Sequence, residues 1–259
     1  MSGWHLHRHR RGPQFLINTT NTGWGLLLGH QWGPPLGHQW GLFHGHGQRA
    51  AEFTAEWATD LSFDSQEIVA CWHRTFDVTG TFIPYGVDIP PGLTHRGYVL
   101  LVARFVPENS VDDFFEAVPA IARQYPVVIV RNSGYSGELD DAARELVADH
   151  PLVSWLGHVS NDSLLLSLCQ HADVYFHGDS VGGTNPALEQ AMAAGAPILA
   201  RDTVYNREVL GPGFCAPDPG AISTAVLRML KDRVALDDSS TVNIQRAQEH
   251  YSWATVCTE

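Results

Sequence analysis

From Tyr98 onward the chain alternates between short, unbroken apolar runs and longer segments with helical spacing. Tyr98–Ala103 is a continuous apolar stretch, the pattern of a strand covered on both faces. Asn109–Gln124 follows, with Val111, Phe114, Phe115, Val118 and Ile121 at helical intervals and Asn109 as a candidate cap. Val127–Val130 reads as the next strand, Gly137–His150 as a helix and Leu152–Leu156 as a third strand. Asn161 suits the cap of a helix to His171, and Asp173–His177 reads as a fourth strand. Asn185 is a good N-cap, and Pro186 fits the first helical position because its missing N–H would have no partner there. Ala187 to Ala194 are nearly all strong helix formers. Leu188, Ala191, Met192 and Gly195 share the face expected to be buried. Gly195 closes that helix, and Ala196–Ala200 is a fifth strand. Helices over Tyr205–Leu210, Gly220–Lys231 and Ser240–Thr255 complete the pattern. The expected class is α/β, a doubly wound parallel sheet of Rossmann-like form, with ligands off the carboxyl ends of its strands.

Upstream the texture differs. Arg49–Thr59 has helical spacing, Asp60–Ser65 reads as a short strand, and Asp64 or Ser65 caps a helix over Gln66–Phe76. Thr79–Pro84 is a further strand, and the proline-rich stretch 84–92 is the expected linker. Residues 1–48 are crowded with Gly, His, Trp, Arg and Pro, carry no acidic residue and contain Gly-His-Gln-Trp-Gly twice. His5, His7 and His9, with His44 and His46, have the residue type for a transition metal, but no carboxylate or cysteine accompanies them. The expected organisation is a disordered leader (1–48), a partial α/β piece with linker (49–92) and a parallel-sheet domain (93–259).

Composition narrows the partners. The 259 residues carry a formal net charge of −12 and are 44% apolar, enough for a sizeable core. An acidic chain excludes nonspecific nucleic-acid binding. An anionic ligand must therefore be held by local donors. Cys71, Cys169, Cys215 and Cys257 are too dispersed for a zinc site or disulfide framework and suit buried thiols in a reducing compartment. No apolar run matches a membrane span or signal peptide. The expected location is cytoplasmic, with peripheral contact at the inner face of the plasma membrane left open.

The candidate chemistry lies in the turns after the strands. The turn His177–Asn185 places Gly182 and Gly183 before a helix start, where backbone N–H groups face a ligand at the positive end of the helix dipole. Arg104 follows the first strand and can give two hydrogen bonds to a phosphate. Gly157-His-Val-Ser160 follows the third strand and could offer backbone groups to a flat base. Each feature alone also reads as an ordinary turn, a surface ion pair or a plain loop. Their convergence at one sheet edge is what points to a nucleotide diphosphate.

Residues 79–210 resemble the donor-binding half of a two-domain GT-B glycosyltransferase of the family 4 type (glycosyl transferases group 1), and within it the bacterial rhamnosyltransferase-like subgroup. The likeness rests on Ile83-Pro-Tyr-Gly-Val-Asp88, Val102-Ala-Arg-Phe-Val-Pro-Glu-Asn109, Trp155-Leu-Gly-His-Val159, Gly182-Gly-Thr-Asn-Pro186, Tyr205-Asn-Arg-Glu-Val209 and Tyr251-Ser-Trp253. Residues 49–88 look like the last βαβ piece of the acceptor half. The resemblance implies that Arg104 binds the donor diphosphate and that Gly182, Gly183, Thr184 and Asn185 contact diphosphate or sugar. Val159 is the expected nucleotide-side contact. The wider family's phosphate-binding lysine falls at Asn109. Its two glutamates, eight residues apart, fall at Gly182 and Gln190, with Glu189 displaced by one; a glutamine can still hydrogen-bond ribose hydroxyls. Arg131 stands where the family usually has glycine.

The resemblance further implies transfer of a hexosyl or deoxyhexosyl unit, with rhamnosyl as the candidate, in cell-envelope polysaccharide synthesis. The donor would be a dTDP- or UDP-linked nucleoside diphosphate sugar, and the acceptor a glycan or polyprenyl-linked glycan. No metal or other cofactor is expected, since Arg104 and helix-end N–H groups would take the leaving-group charge. The catalytic residues are not identified. The chain is expected to lack most of the acceptor domain, the leader being an altered remnant of it, and a partner chain could complete the cleft. The rival readings are a truncated, non-catalytic nucleotide-sugar-binding module or degenerate remnant, and a sugar-nucleotide epimerase of the same two-domain design. The Gly-Gly-Thr-Asn-Pro turn argues against the latter.

Overall fold

The computed structural model describes residues 16–19, 60–84, 86–87, 97–131, 137–180, 184–211, 215–216 and 218–257. Two compact units are present: Met1–Pro84 with Gly182–Thr184, and Tyr85–Val181 with Asn185–Glu259. The first contains a parallel sheet of β1 (Leu16–Thr19), β2 (Asp60–Phe63) and β3 (Thr81–Phe82), in that order. β1 falls inside the expected leader, where the glycine- and histidine-rich surroundings conceal a short Leu-Ile-Asn-Thr segment with two β-branched residues. The rest of that leader and the helix expected over Arg49–Thr59 lie outside the described residues. Helix α1 (Gln66–Phe76) starts where Ser65 Oγ accepts the N–H of Glu67 at 3.1 Å, so Ser65 rather than Asp64 is the cap. Its apolar face buries Trp72, whose ring lies 5.4 Å from Phe63 and 5.2 Å from Phe76.

The second unit is built on six parallel strands: β4 (Val99–Val102), β5 (Val127–Val130), β6 (Val153–Trp155), β7 (Val174–His177), β8 (Ile198–Arg201) and β9 (Cys215–Ala216). They lie side by side in the order β6-β5-β4-β7-β8-β9. β9 escaped the sequence reading because two residues give no periodicity. Helices α2 (Val111–Ile121), α3 (Glu138–Asp149), α4 (Asp162–His171), α5 (Pro186–Ala193), α6 (Val204–Leu210) and α7 (Ile222–Lys231) fall between or after the strands. Successive strand residues feed opposite faces. Val99, Leu101, Ile129 and Phe176 pack with Phe114 of α2 and Val226 of α7, the rings of Phe114 and Phe176 stacking at 4.9 Å. Leu100, Val102, Tyr175 and Ile198 pack with Leu188, Ala191 and Met192 of α5. The unbroken apolar runs of β4 and β7 follow from burial on both faces.

Two helix boundaries differ from expectation. Asn109 does not cap α2: it ends a 3₁₀ turn, Pro107–Asn109, and Ser110 occupies the cap position at φ 47°. The segment expected as one helix over Ser240–Thr255 begins earlier, as α8 (Arg233–Arg246), because Asp232 accepts the Ala235 N–H at 3.0 Å. It then widens into a π turn, Ala247–Tyr251, and restarts as α9 (Trp253–Val256) on the Ser252 side chain. At that break the Val87 N–H donates to the Tyr251 carbonyl at 2.7 Å, so the extended Ser252 backbone serves as a docking rung. Among the described residues no helix is long and apolar enough to cross a membrane.

Candidate functional site

The strand order fixes where a ligand can enter. The chain runs outward through β4, β5 and β6, then returns to β7 beside β4 and runs outward again through β8 and β9. The direction of winding therefore reverses between β4 and β7, and sheets of this kind take ligands at the carboxyl ends of the two strands where it does. In this structure the loops that follow β4 and β7 are bound to one another. The Ser180 N–H and the Ser180 hydroxyl both donate to the Glu108 carbonyl, each at 2.8 Å. Gly178 is buried against the same loop: a Cβ there would overlap the Asn109 carbonyl oxygen and lie 3.0 Å from Phe176 Cε1. Asn109 is itself buried, and its Nδ2 donates to the Arg104 carbonyl at 3.0 Å, closing the turn after β4. The Arg104 side chain is exposed.

A second set of contacts ties the β7 loop to β8 and to α5. Asn206, buried on α6, donates from Nδ2 to the carbonyls of Asp179 (3.0 Å) and Arg201 (2.9 Å). Arg201 hydrogen-bonds Ser110 Oγ and lies 3.8 Å from Asp113 Oδ2, bracing the start of α2. Asn185 caps α5, its Oδ1 accepting the Ala187 N–H at 2.9 Å while its Nδ2 donates to Asp179 Oδ2. The same carboxylate oxygen lies 3.9 Å from Nε2 of His177, the buried last residue of β7. Burial holds the His177 imidazole below its ordinary pKa, and the Asp179 carboxylate opposes that shift. The Tyr175 ring stacks at 6.3 Å from His177, and burial raises its phenol well above the ordinary value.

At the ends of β5 and β6, Arg131 adopts φ 85°, a left-handed conformation that disfavours side chains with a Cβ. The glycine usual at this position in the resembling family has no such penalty. Arg131 is held by its own N–H donating to the Gly157 carbonyl at 2.5 Å and by Trp155 Nε1 donating to its carbonyl at 2.8 Å. Val159 is half-buried against the core face that contains Leu188.

The structure thus brings together the turn bearing Arg104 and Asn109 with the loop that leads towards Asn185. Asn109 is directed to the Arg104 backbone and does not cap α2, a correction to its expected place as helix cap. Glu189 is wholly buried on α5 and acts electrostatically on Tyr251, whereas its neighbour Gln190 is exposed. Thr184 belongs to the first unit, where its hydroxyl donates to the Asp64 carbonyl at 2.7 Å. Gly182 and Gly183 lie outside the described residues. Sequence reasoning missed His177, Asp179, Asn206 and Arg201. The first two sit inside the turn it singled out, and Asn206 lies in the Asn-Arg-Glu-Val stretch, but none has a spacing that marks it. Among the described residues no group of His, Cys, Asp and Glu could hold a metal ion.

A profile of the family described as "Glycosyl transferases group 1" matches residues 96–232, more than half of the chain. No curated protein matches the sequence. Among solved structures, a mutant of S. aureus TarM in complex with Fondaparinux, alpha-GlcNAc-glycerol and UDP is similar with a TM-score of 0.72 at 14% identity, over 95% of this chain and 49% of that one. Sucrose-phosphate synthase from Thermosynechococcus elongatus gives 0.70 at 19% identity, over 82% and 59%. Anabaena HepE in complex with UDP and glucose gives 0.69 at 15% identity, over 82% and 64%. These likenesses establish the fold, and the chain spans about half to two thirds of the length of these proteins.

Proposed function

Since the chain belongs to the glycosyl transferases group 1 family, we propose that it binds a nucleoside diphosphate sugar at the carboxyl ends of β4 and β7 and serves glycosyl transfer from it. The observation that carries this reading is the locked pair of loops after β4 and β7. They leave Arg104 exposed in the turn after β4, while α5 opens at Asn185 in the continuation of the β7 loop. A diphosphate would take hydrogen bonds from the Arg104 guanidinium and from N–H groups at the start of α5; Gly182 and Gly183, which precede that start in the sequence, are the further candidates. These donors oppose the charge that builds on the leaving diphosphate as the sugar departs, without a metal ion. Asn185, the cap of α5, adjoins that edge, whereas both donors of Thr184, its N–H and its hydroxyl, are taken by the Asp64 carbonyl. Gln190, exposed on α5, suits the ribose hydroxyls, and the Gly157–Ser160 turn with Val159 suits the base. TarM and HepE were solved with UDP, which favours a uridine nucleotide; dTDP is the alternative.

The transferred unit would be a hexosyl or deoxyhexosyl group, rhamnosyl on the subgroup likeness. A glycan or polyprenyl-linked acceptor at the inner face of the plasma membrane would place the chain in cell-envelope polysaccharide synthesis. Transfer requires both substrates oriented together, and a partner chain is a candidate for the acceptor side. Calorimetric titration with UDP-glucose and dTDP-glucose tests the donor site. Binding by the intact chain that falls about tenfold in Arg104→Ala, the scale of one charge-assisted hydrogen bond, supports the reading; unchanged binding removes Arg104 from it. A glycosyl-transfer assay then separates an enzyme from a binding module.

A further inference from the structure

The His177 side chain is 3% exposed, and its Nε2 makes no hydrogen bond among the described residues. An unsatisfied buried nitrogen is costly, and the Asp179 carboxylate lies 3.9 Å from it. The same oxygen of Asp179 accepts a hydrogen bond from Asn185, whose other amide atom caps α5. His177, Asp179, Asn185 and the first turn of α5 are therefore one chain of contacts ending where the diphosphate is placed. This creates a conflict of charge. A carboxylate fastened to the cap of an anion-binding helix repels the anion, and the molecule as a whole is acidic.

The other groups around this column do not resolve the conflict. Tyr175 of β7 and Cys169 of α4 are both kept neutral by burial, the thiol pushed up to about 12. Arg131, at the end of β5, acts on Tyr175, and Glu189 of α5 acts on Tyr251. Asn206, the α6 residue bonded to the Asp179 backbone, carries no charge. Among the described residues Asp179 is the one charge acting on His177. A proton on Nε2 would close a charge-assisted contact to Asp179 and cancel the carboxylate next to the cap.

We propose that His177 is a positioning residue that takes up one proton from solvent when a nucleoside diphosphate sugar occupies the start of α5, neutralising Asp179 and fixing Asn185 as the cap. This rests on the donor-site reading above. The sign follows from linkage. The bound diphosphate raises the imidazole pKa, so affinity is highest below the free-state pKa. Affinity falls as pH rises towards the bound-state pKa, at up to about tenfold per pH unit.

The test is calorimetry of the full chain with UDP-glucose in buffers of different ionisation heat. In this ligand each phosphorus carries one ester and one anhydride bond, leaving a single strongly acidic oxygen on each and no secondary ionisation near pH 6 of the kind a phosphate monoester shows. The expected result is uptake of a substantial fraction of a proton, at most about one, per UDP-glucose bound. His177→Gln should bind with no net uptake and a flat pH profile. Asp179→Asn should also lose the uptake, yet bind at least as tightly, because the repelling charge is gone; a merely structural role would weaken binding in both variants. Equal apparent heats in all buffers for the wild-type chain would overturn the proposal and leave the donor site standing. Absence of binding by the wild-type chain to either UDP-glucose or dTDP-glucose would overturn the donor site, and this inference with it.

Discussion

Gly178→Ala adds one methyl group at the point where the β4 and β7 loops touch. Gly178 does not adopt a left-handed φ, so alanine meets no backbone penalty and the effect is steric alone. The new Cβ would overlap the Asn109 carbonyl oxygen, 3.1 Å from the carbonyl carbon and 3.0 Å from Phe176 Cε1. Two of these three atoms are backbone and cannot rotate away, so the loops must separate. Overpacking of this kind costs about 1–3 kcal/mol. Separation also stretches the two hydrogen bonds from Ser180 to Glu108, each worth about 0.5–1.5 kcal/mol. Because yielding at the bonds relieves the clash, the terms do not add fully, and the expected loss is about 3 kcal/mol. For a domain of this size that lowers Tm by roughly 6–12 °C. Thermal and urea unfolding read it directly. Ser180→Ala alone, losing one side-chain bond, should cost about 1 kcal/mol. The double variant should lose less than the two combined, since both act on one contact. A Tm for Gly178→Ala within about 1 °C of wild type, or strict additivity with Ser180→Ala, would refute the claim that this contact is rigid.

Other perturbations separate backbone strain, buried polar bonding and charge. Arg131→Gly should stabilise by about 1 kcal/mol in urea unfolding, because relief of the left-handed arginine at φ 85° exceeds the entropy cost of glycine. Asn206→Ala should cost about 2–3 kcal/mol, since two carbonyls, those of Asp179 and Arg201, lose their donor near the sheet edge. The depressed pKa of His177 also makes folding pH-dependent. Below the unfolded value near 6.5 the unfolded chain binds more protons, so stability is fullest above it and declines as pH falls towards the folded pKa. His177→Gln should flatten that decline in urea midpoints measured between about pH 7 and 5; an unchanged slope would assign it to other groups.

The fold was legible wherever burial imposed a period. The apolar runs of β4, β5 and β7 and the face of α2 announced themselves because each residue is pressed against a core on a fixed side. The caps Asn161 and Asn185 were legible because a short polar side chain before helix formers has few other uses. Asn109 failed on the same logic: it too precedes a helical pattern, but its amide is taken by the Arg104 carbonyl earlier in the same turn, and Ser110 is left at the cap. The tail failed because α8 is polar on most sides, burying Ser239, Ser240 and Asn243 where apolar residues would have marked the stripe. At the candidate site, Arg104 and Asn185 were readable from residue type next to a strand end or helix start. His177, Asp179 and Asn206 were not, since their roles depend on which loops meet across the sheet order, and adjacency in space between β4, β7 and β8 has no counterpart in sequence spacing.

The distribution of positive charge along the carboxyl edge of the sheet shows why the loops must be rigid. Three arginines stand at strand ends: Arg104, Arg131 and Arg201. Arg201 is committed to Ser110 and Asp113, and Arg131 is fixed through its backbone between Gly157 and Trp155. Arg104 alone of the three is exposed. In a chain with a net charge of −12, one guanidinium cannot draw in an anion through a long-range field, which salt screens within about 10 Å. It can act only at hydrogen-bond distance, together with N–H groups whose direction is already set. The turn closed by Asn109, the Ser180 bonds to Glu108 and the Asn206 bridge hold these loops in place, so in the proposed donor site the ordering cost would fall on folding rather than on binding.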